Sequence, residues 1–329
     1  MTATDAPTAV PEPAPRRPSK WDEFLFAPER PSPIALVRVA YGIATTIWAL
    51  TLLPDIDPFL TKGALRYPRA RGAGSWNPLD WIGWSKAPLV VCLLLVLAGA
   101  ATAVGYRTRL SSAVAFLGLL ALQRTNTTIF NSGDLFLRQI GFVVMLAPCG
   151  LVFSLDARRR QRQAAPADDP PPQRAPWATR LLQLELAVGY SLSCWAKLRG
   201  STWHEGTALG LALRISDLHR FAAPDSIFHE AVLLNVLTWA TLVFEGSFIF
   251  LVWNKRWRPW VLGIGVMFHI GIDLFFDVGF FSWAMWIAYL AFLTPEWADA
   301  VIDRIRRWTG RTGPTALPTS VLGAVEPAE

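Results

Sequence analysis

Residues 87–106 read APLVVCLLLVLAGAATAVGY, a run of 20 residues without an acidic or basic side chain. A helix needs about 20 mostly apolar residues to cross the hydrocarbon core of a bilayer. A helix also satisfies its backbone hydrogen bonds within its own segment, which lipid requires because it offers no other partners. This run therefore predicts a transmembrane helix.

Seven more apolar runs, each bounded by charges, Pro or Gly, extend this pattern along the chain. Together with the first run they give the expected spans 34–53, 87–106, 110–123, 134–153, 177–196, 229–253, 260–276 and 280–293. The third and eighth runs are short. The predicted fold class is all-α, a polytopic transmembrane helical bundle of about eight spans.

The composition of the whole chain agrees with a membrane protein. Of its 329 residues, 52% are hydrophobic and 16 are Trp, which is unlike an ordinary soluble domain. The net charge of +6 could indicate nucleic-acid binding, but the basic residues fall between the apolar runs instead of forming one patch. We therefore expect a multi-pass protein of the cell membrane, with the lipid bilayer as a partner and no nucleic acid.

The two ends of the chain differ from its middle. Residues 1–30 are rich in Pro, Ala and charge, and we expect disordered tails there and at 310–329. The transmembrane domain then covers residues 31–309. Within it, four arginines followed by a Pro-rich stretch predict a flexible linker at 154–176, and residues 297–308 form an amphipathic segment.

The distribution of Lys and Arg predicts the orientation in the membrane, because cytoplasmic loops carry an excess of both residues. With both termini cytoplasmic, 19 basic residues fall inside, counting Arg180 one turn into the fifth span, and 10 fall outside, while the remaining two lie deeper within spans. The two long connections, 54–86 and 197–228, then face outward. Lys197, at the end of the fifth span, faces outward with them.

Lys197 ends a polar stripe on the fifth span. Gln183, Tyr190 and Lys197 recur at intervals of seven, which keeps them on one helix face, and Ser193 lies one turn before Lys197. A Lys at a helix end commonly extends to the interface as a solvated charge. If Trp195, Trp203 and apolar neighbours enclose it instead, the neutral amine is favoured and becomes a usable general base. Spacing alone leaves both interpretations open.

Other ionisable residues within spans are functional hypotheses, because charge inside a bilayer is costly. Asp134 and Arg138 lie one turn apart and could form a structural ion pair. His269 and Asp273 have the same spacing, so the carboxylate could orient the imidazole. Two residues lack a partner on their own span: the acid Glu245 and the base Arg38, which we expect to pair with one of the acids.

Metal and nucleotide sites find no support in the sequence. The four His show neither an H-E-x-x-H motif nor a pair at ligand spacing, and the three Cys show no paired spacing. No phosphate-binding glycine motif occurs either. We therefore expect no metal and no nucleotide-driven transport.

Three segments in combination resemble the bacterial HTTM family. They are QRTNTTIFNSGDLFLRQIGFVVMLAPCGLVFSLDA at 123–157, YSLSCWAKLRGSTWHEGTALGL at 190–211 and FHIGIDLFFDVGFFSWAMW at 268–286. That family is the membrane domain shared with vitamin K-dependent γ-glutamyl carboxylases. The resemblance extends over almost the whole chain between the two tails.

The resemblance implies a role for Lys197. In the carboxylases a Lys in a K-L-x-x-x-W-x-E-G-like context deprotonates reduced vitamin K, whose oxygenation yields the base that removes a glutamyl γ-proton before carbon dioxide is captured. Lys197 is followed here by Trp203 and Glu205 at a slightly longer interval. We expect Lys197 as base with Glu245 and His269 in support. We expect Tyr190, Trp195, Trp203 and Glu205 to bind a reduced menaquinone or vitamin K-type quinone.

The chain departs from the carboxylases at two places. Residues 131–134 read NSGD in the short segment where the carboxylases carry a His. The carboxylases also continue into a large luminal domain, whereas this sequence ends soon after the eighth span. We therefore expect a carboxylase-like or quinol-oxidising enzyme, a lyase or oxidoreductase, for which quinone oxidation is better supported than carboxylation of a peptide glutamate.

A second hypothesis comes from another class of protein. Some bacterial relatives suggest a non-catalytic membrane protein for the maturation, export or immunity of a small peptide. A phenotype insensitive to the loss of Lys197 would favour it. A transporter is the weakest alternative, because no inverted repeat and no broken half-helices are evident.

Overall fold

The computed structural model describes residues 18–61, 76–163 and 172–309. Helices contain 75% of these residues, and no strand occurs among them. The predicted all-α class is therefore confirmed. The expected tails at 1–17 and 310–329, the central part of the expected linker at 164–171, and residues 62–75 of the first long connection lie outside the described residues.

Fifteen α-helices occur in the described part of the chain. They are α1 Lys20–Phe26, α2 Ser32–Leu52, α3 Ile56–Leu60, α4 Pro78–Ile82, α5 Ala87–Val104, α6 Thr108–Thr125, α7 Ser132–Leu146, α8 Leu155–Gln163, α9 Trp177–Lys197, α10 Ser201–His204, α11 Ala208–Ala212, α12 Ala231–Leu251, α13 Arg258–Phe275, α14 Phe281–Tyr289 and α15 Pro295–Trp308. Short 3₁₀ turns continue α2 and α14 and interrupt the segment between α11 and α12.

Each of the eight predicted spans falls on a helix: α2, α5, α6, α7, α9, α12, α13 and α14. Among the described residues, four segments are long and apolar enough to cross a bilayer, namely Ser32–Leu60, Ala87–Val104, Ala231–Leu251 and Arg258–Phe275, and Phe281–Phe292 is a shorter apolar helix. The fourth predicted span is too long, because α7 ends at Leu146 before Ala147 and Pro148, and a residue before Pro disfavours helical geometry. The number of eight crossings stays a prediction.

The long helices alternate in direction. Arg30, just before α2, forms ion pairs with Glu296 and Asp299 of α15, and Arg180 of α9 pairs with Glu29. Arg258, which begins α13, lies at the same end, where it donates to the carbonyl of Phe292. We call this the basic end of the bundle. The opposite end holds the C-termini of α9 and α13, including Lys197.

Small residues allow α2 and α5 to pack closely. A Cβ atom at Gly42 of α2 would lie 2.4 Å from the backbone nitrogen of Ala103 in α5, and one at Gly99 would lie 2.5 Å from Oγ1 of Thr46. Glycine therefore allows the two backbones to approach, as small residues do in membrane helix pairs. This contact holds α5 against α2, whose own buried face lies at the centre of the hydrophobic core.

The N-terminal tail is shorter than expected, because α1 begins at Lys20. Ser19 and Asp22 form a capping box at its start. The ring of Phe24 packs against Trp253 at 5.8 Å and lies under the guanidinium of Arg180 at 5.0 Å. These contacts tie residues 20–26 to α9 and to the end of α12, which a disordered tail would not allow.

The expected flexible linker at 154–176 also begins with structure. Residues 155–163 form α8, and its Asp156 accepts hydrogen bonds from the backbone N–H groups of Arg107 and Thr108 at 2.9 and 2.7 Å. The predicted amphipathic segment is confirmed as α15, whose Ala298 and Ile302 pack on Leu36 of α2. Both helices therefore lie against the basic end.

Candidate functional site

The ammonium group of Lys197 is held by two side chains. Its Nζ lies 2.8 and 2.9 Å from Oε1 and Oε2 of Glu245, and it donates to Oγ of Ser193 at 2.6 Å. Lys197 ends α9, and Glu245 comes from the facing helix α12. The contact therefore joins two helices through residues that lie 48 positions apart in sequence.

Burial separates this arrangement from a solvated interfacial Lys. The Glu245 side chain is 5% exposed and that of Lys197 is 23% exposed. The Nζ atom also lies 5.3 Å from the ring centroid of Trp203, a distance at which a cation is attracted by the aromatic face. Lys197 is therefore partly enclosed, by Trp203 as expected and by Glu245 in place of Trp195.

A second polar cluster lies deeper in the bundle, on the same face of α9. The hydroxyl of Tyr190 is 2.8 Å from Nε2 of His269 and forms a hydrogen bond with the hydroxyl of Tyr289. All three side chains are buried, at 2%, 1% and 5% exposure respectively. The predicted residues Tyr190 and His269 thus meet directly, and they do so around a third residue that sequence reasoning missed.

Tyr289 was missed because it lies in the short, uncertain eighth span. One signal could have indicated it: Tyr289 is the only hydroxyl-bearing aromatic residue in that run, and the seventh span carries a Gly at position 265. A Cβ atom at Gly265 would lie 2.3 Å from the Tyr289 hydroxyl. The absence of a side chain on α13 therefore makes room for this tyrosine.

Aromatic rings surround the deep cluster. Phe248 of α12 lies 4.3 Å from the Tyr190 ring, and Phe244 lies 5.4 Å from it. Phe244 and Phe248 flank Glu245 on α12, while Lys197 follows Tyr190 by seven residues, a rise of about 10 Å along α9. The site is therefore an outer ion pair above an inner hydrogen-bonded cluster, and phenylalanine rings pack beside the inner cluster.

One polar atom of the inner cluster lacks a partner. Nδ1 of His269 is buried, and no hydrogen-bond partner for it occurs among the described residues. The backbone carbonyl of His269 accepts a hydrogen bond from Ser282 at 3.1 Å, which fixes this turn of α13 against α14. Buried polar atoms are usually paired, so an unpaired one at a cluster of titratable groups is a place where a ligand or water could bind.

The predicted contact between Asp273 and His269 is wrong. Oδ2 of Asp273 lies 3.3 Å from Arg220, and the same guanidinium reaches Asp277 at 3.2 Å. Arg220 comes from the long connection after α9, and its backbone N–H also donates to Phe275. Asp273 therefore ties that connection to the end of α13, and the long-range partner was invisible to helical spacing.

The expected ion pair between Asp134 and Arg138 does not form. Asp134 instead accepts from the indole N–H of Trp48 at 2.7 Å and from the backbone of Asn131, whose side chain caps α7 in return. Arg138 lines a groove of about 480 Å³ that also includes Glu185. The N-terminal position of Asp134 explains the difference, since acidic residues there satisfy free backbone N–H groups.

Arg38 does not pair with an acid in the described part of the chain. It is fully buried and donates to the carbonyls of Cys149, Phe153 and Ala103. These carbonyls lie where α5 and α7 end or turn, so they lack intrahelical partners. Arg38 is thus a structural residue at the basic end. Trp48 lies on the same helix, toward the opposite end of the bundle.

Two predicted binding residues lie outside the enclosed site. Trp195 is 64% exposed on the outer face of α9, and Glu205 is exposed at the end of α10. Trp203, by contrast, covers Lys197 as expected. The i+2 position of Trp195 relative to Ser193 places it on another side of the helix.

Comparison with known proteins gives one result. The model of the HTTM domain matches residues 26–297, most of the chain. No curated protein and no solved structure matches the chain. The HTTM domain is linked to membrane proteins of the vitamin K-dependent carboxylase family. The matched range contains every helix from α2 to α14, including the Lys197 site, and the chain is therefore a membrane protein that belongs to the HTTM family.

Proposed function

We propose that this protein is an integral-membrane enzyme that oxidises a reduced quinone, with Lys197 as the proton-accepting group. The enclosure of Lys197 by Glu245, Ser193 and Trp203 carries the proposal. A Lys that served only to anchor a helix end would lie in water or among headgroups. We also propose eight crossings with cytoplasmic termini, which place this site at the outer side of the membrane.

The Lys197–Glu245 pair can hold one proton in either of two places. With the proton on Lys197 the pair is an ion pair, and with the proton on Glu245 both groups are neutral. The neutral amine then has a free lone pair and can accept a proton from an acidic hydroxyl, while protonated Glu245 donates a hydrogen bond.

The surroundings fit a lipid-soluble aromatic substrate. Trp203 offers an aromatic face beside the ion pair, and Phe244 offers one beside Tyr190. The buried Nδ1 atom of His269 has no partner among the described residues and is free to bond a quinone oxygen. A reduced menaquinone or vitamin K-type quinone would supply the two electrons, and its oxidation by dioxygen would supply the strong base that carboxylation of a peptide glutamate needs. Tyr190 and Tyr289 would hold the His269 ring in place.

The test uses the purified full-length protein in detergent with reduced menaquinone and oxygen. We expect turnover in the wild type and at least a hundredfold loss in Lys197→Ala. The matched control is Arg199→Ala, which removes an exposed basic residue two positions further along. Thermal unfolding of all three proteins checks that the bundle stays folded.

Undiminished turnover in Lys197→Ala would remove Lys197 from the mechanism. If the wild type consumes no reduced menaquinone or vitamin K, the enzymatic proposal fails as a whole. A cellular phenotype that survives Lys197→Ala would then favour the non-catalytic role in peptide maturation, export or immunity.

A further inference from the structure

A cavity of about 270 Å³ opens at the basic end of the bundle, far from Lys197. It lies where α2, α9, α13 and α15 begin, and its wall includes Pro31, Pro176 and Thr294, the residues that precede three of these helices. Gln183, which is 3% exposed, lies at its inner side and donates to the carbonyl of Ala291. The cavity is therefore a built feature of four converging helices and does not involve the proposed quinone site.

The charged side chains around this cavity are mostly basic. The lining contains two acidic residues, Glu29 and Glu296, and five basic ones: Arg30, Arg174, Arg180, Lys255 and Arg258. Both acids already form ion pairs within this group, because Glu29 pairs with Arg180 and Glu296 pairs with Arg30.

Three basic side chains are then left without an acid. Arg174, Lys255 and Arg258 have no carboxylate within 4 Å among the described residues, and Arg258 donates only to backbone carbonyls. The cavity is positively charged even after its internal ion pairs are counted, so it favours an anion.

The helix starts add to this positive field. Neither α2 nor α9 has a side chain that caps its first turn, since a Pro precedes each helix. The first N–H groups of a helix have no intrahelical partner, and the helix dipole places partial positive charge there. Two uncapped helix starts beside several arginines form a setting typical of phosphate binding.

We propose that this cavity binds a phosphate group, either that of an anionic phospholipid headgroup or that of a soluble phosphate compound. Arg174 and Lys255 contact the anion at the rim, Arg258 lies beside it, and Thr179 at the start of α9 lines the wall. The volume is below that of a typical drug-sized pocket, so the occupant is the size of a headgroup rather than a nucleotide.

The experiment compares phosphate binding by the purified full-length wild type and two double variants. The first double variant, Arg174→Gln with Lys255→Gln, removes two rim charges whose side chains pair with no acid. The matched control, Arg158→Gln with Arg256→Gln, removes two exposed charges at the same end that do not line the cavity. Thermal unfolding is followed in delipidated detergent with increasing inorganic phosphate, and in nanodiscs of phosphatidylglycerol or phosphatidylcholine.

We expect the rim variant to need about tenfold more ligand than the wild type and the control for equal stabilisation, since each charge-assisted contact contributes modestly. Stabilisation by inorganic phosphate identifies a soluble phosphate compound, whereas stabilisation only by phosphatidylglycerol nanodiscs identifies a lipid headgroup. The proposal would be overturned if the wild type and the rim variant respond equally, or if the control variant loses as much stabilisation as the rim variant. It would also be overturned if neither ligand stabilises the wild type. This experiment does not measure quinol turnover, so a failure of the phosphate proposal would leave the enzymatic proposal unaffected.

Discussion

At the scale of single residues, the ion pair with Glu245 distinguishes Lys197 from the solvated lysines that are common at helix ends. Helical spacing predicts which residues share the inner face of α9, and Gln183 and Tyr190 are indeed buried there. Spacing within one helix cannot predict which helix faces it. The partner of Lys197 therefore had to come from the structure, as did the partner of Asp273.

The first prediction concerns the energy of this pair. Glu245→Gln should destabilise the protein by about 1–2 kcal/mol, less than for a fully buried pair because Lys197 is partly exposed. Lys197→Met with Glu245→Leu should be closer to the wild type than Glu245→Gln, since no charge is left unpaired. Reversible unfolding of Lys197→Met, of Glu245→Leu and of the double variant in detergent measures the coupling. Additive effects would show that the two groups do not interact.

The second prediction concerns the room that Gly265 gives to Tyr289. Gly265→Ala should cost about 1–3 kcal/mol, because the new Cβ atom would force the buried Tyr289 away from Tyr190. Gly263→Ala, two positions earlier on α13, meets nothing within 4 Å and should change stability by between zero and a gain of about 1 kcal/mol. Thermal unfolding compares the two variants. Equal effects would contradict the crowding at Gly265.

At the scale of helices, apolar runs predicted the existence of α2, α5, α6, α7, α9, α12, α13 and α14, and the ends of these helices were less predictable. Residues 20–26 and 155–163 have compositions typical of tails and linkers, yet both are helical. Each is held by contacts from distant residues: Phe24 by Trp253, and Asp156 by the start of α6. Local composition cannot show such contacts, so short helices at the bundle surface escape sequence-based prediction.

The third prediction concerns the cap that Asp156 gives to α6. Arg107 precedes α6 and provides no side-chain cap, so Asp156 of α8 supplies the acceptors for the N–H groups of Arg107 and Thr108. Burial raises the pKa of the Asp156 carboxyl, but its hydrogen bonds with Thr108 and Arg107 outweigh burial and leave the pKa below its usual value. Asp156→Asn should therefore cost about 1 kcal/mol at pH 7.

This cost depends on pH in one direction. A lowered pKa in the folded state means that the stabilisation is complete above the unfolded-state pKa of about 3.9 and is lost as pH falls through the lower folded-state value. Unfolding of the wild type and Asp156→Asn should thus differ at pH 7 and converge in strong acid. Asp57→Asn, at an exposed aspartate of α3, serves as the control and should show no such difference. A difference that grows in acid would contradict the cap.

At the scale of the whole molecule, two independent patterns agree on which helix ends lie together. The distribution of Lys and Arg is a property of the loop sequences, whereas the contacts of Arg30, Arg180 and Arg258 come from the packed helices. Both collect the basic residues at the end where α2, α9 and α13 begin. Loop composition predicts which helix ends share a side, whereas the internal sites depend on pairings that no loop composition records. The side of the membrane that the basic end faces stays a prediction.

The last prediction is the topology that follows from this sidedness. Single cysteines are introduced at four exposed positions, Thr127→Cys, Gln161→Cys, Ser226→Cys and Thr309→Cys. The native Cys92, Cys149 and Cys194 are buried and should react poorly. In intact cells an impermeant maleimide should label the variants at Thr127 and Ser226, because their connections face outward. The variants at Gln161 and Thr309 should react only after the membrane is opened.

Each position tests a particular crossing. Protection of Thr127→Cys would mean that α6, which is not among the four most apolar segments, does not cross the bilayer. Labelling of Thr309→Cys in intact cells would mean the same for α14, which is also short. A complete reversal of the pattern would keep eight crossings but would place Lys197 in the cytoplasm and the phosphate cavity outside. That outcome would contradict the charge rule for this chain, because the side with 19 basic residues would then face away from the cytoplasm.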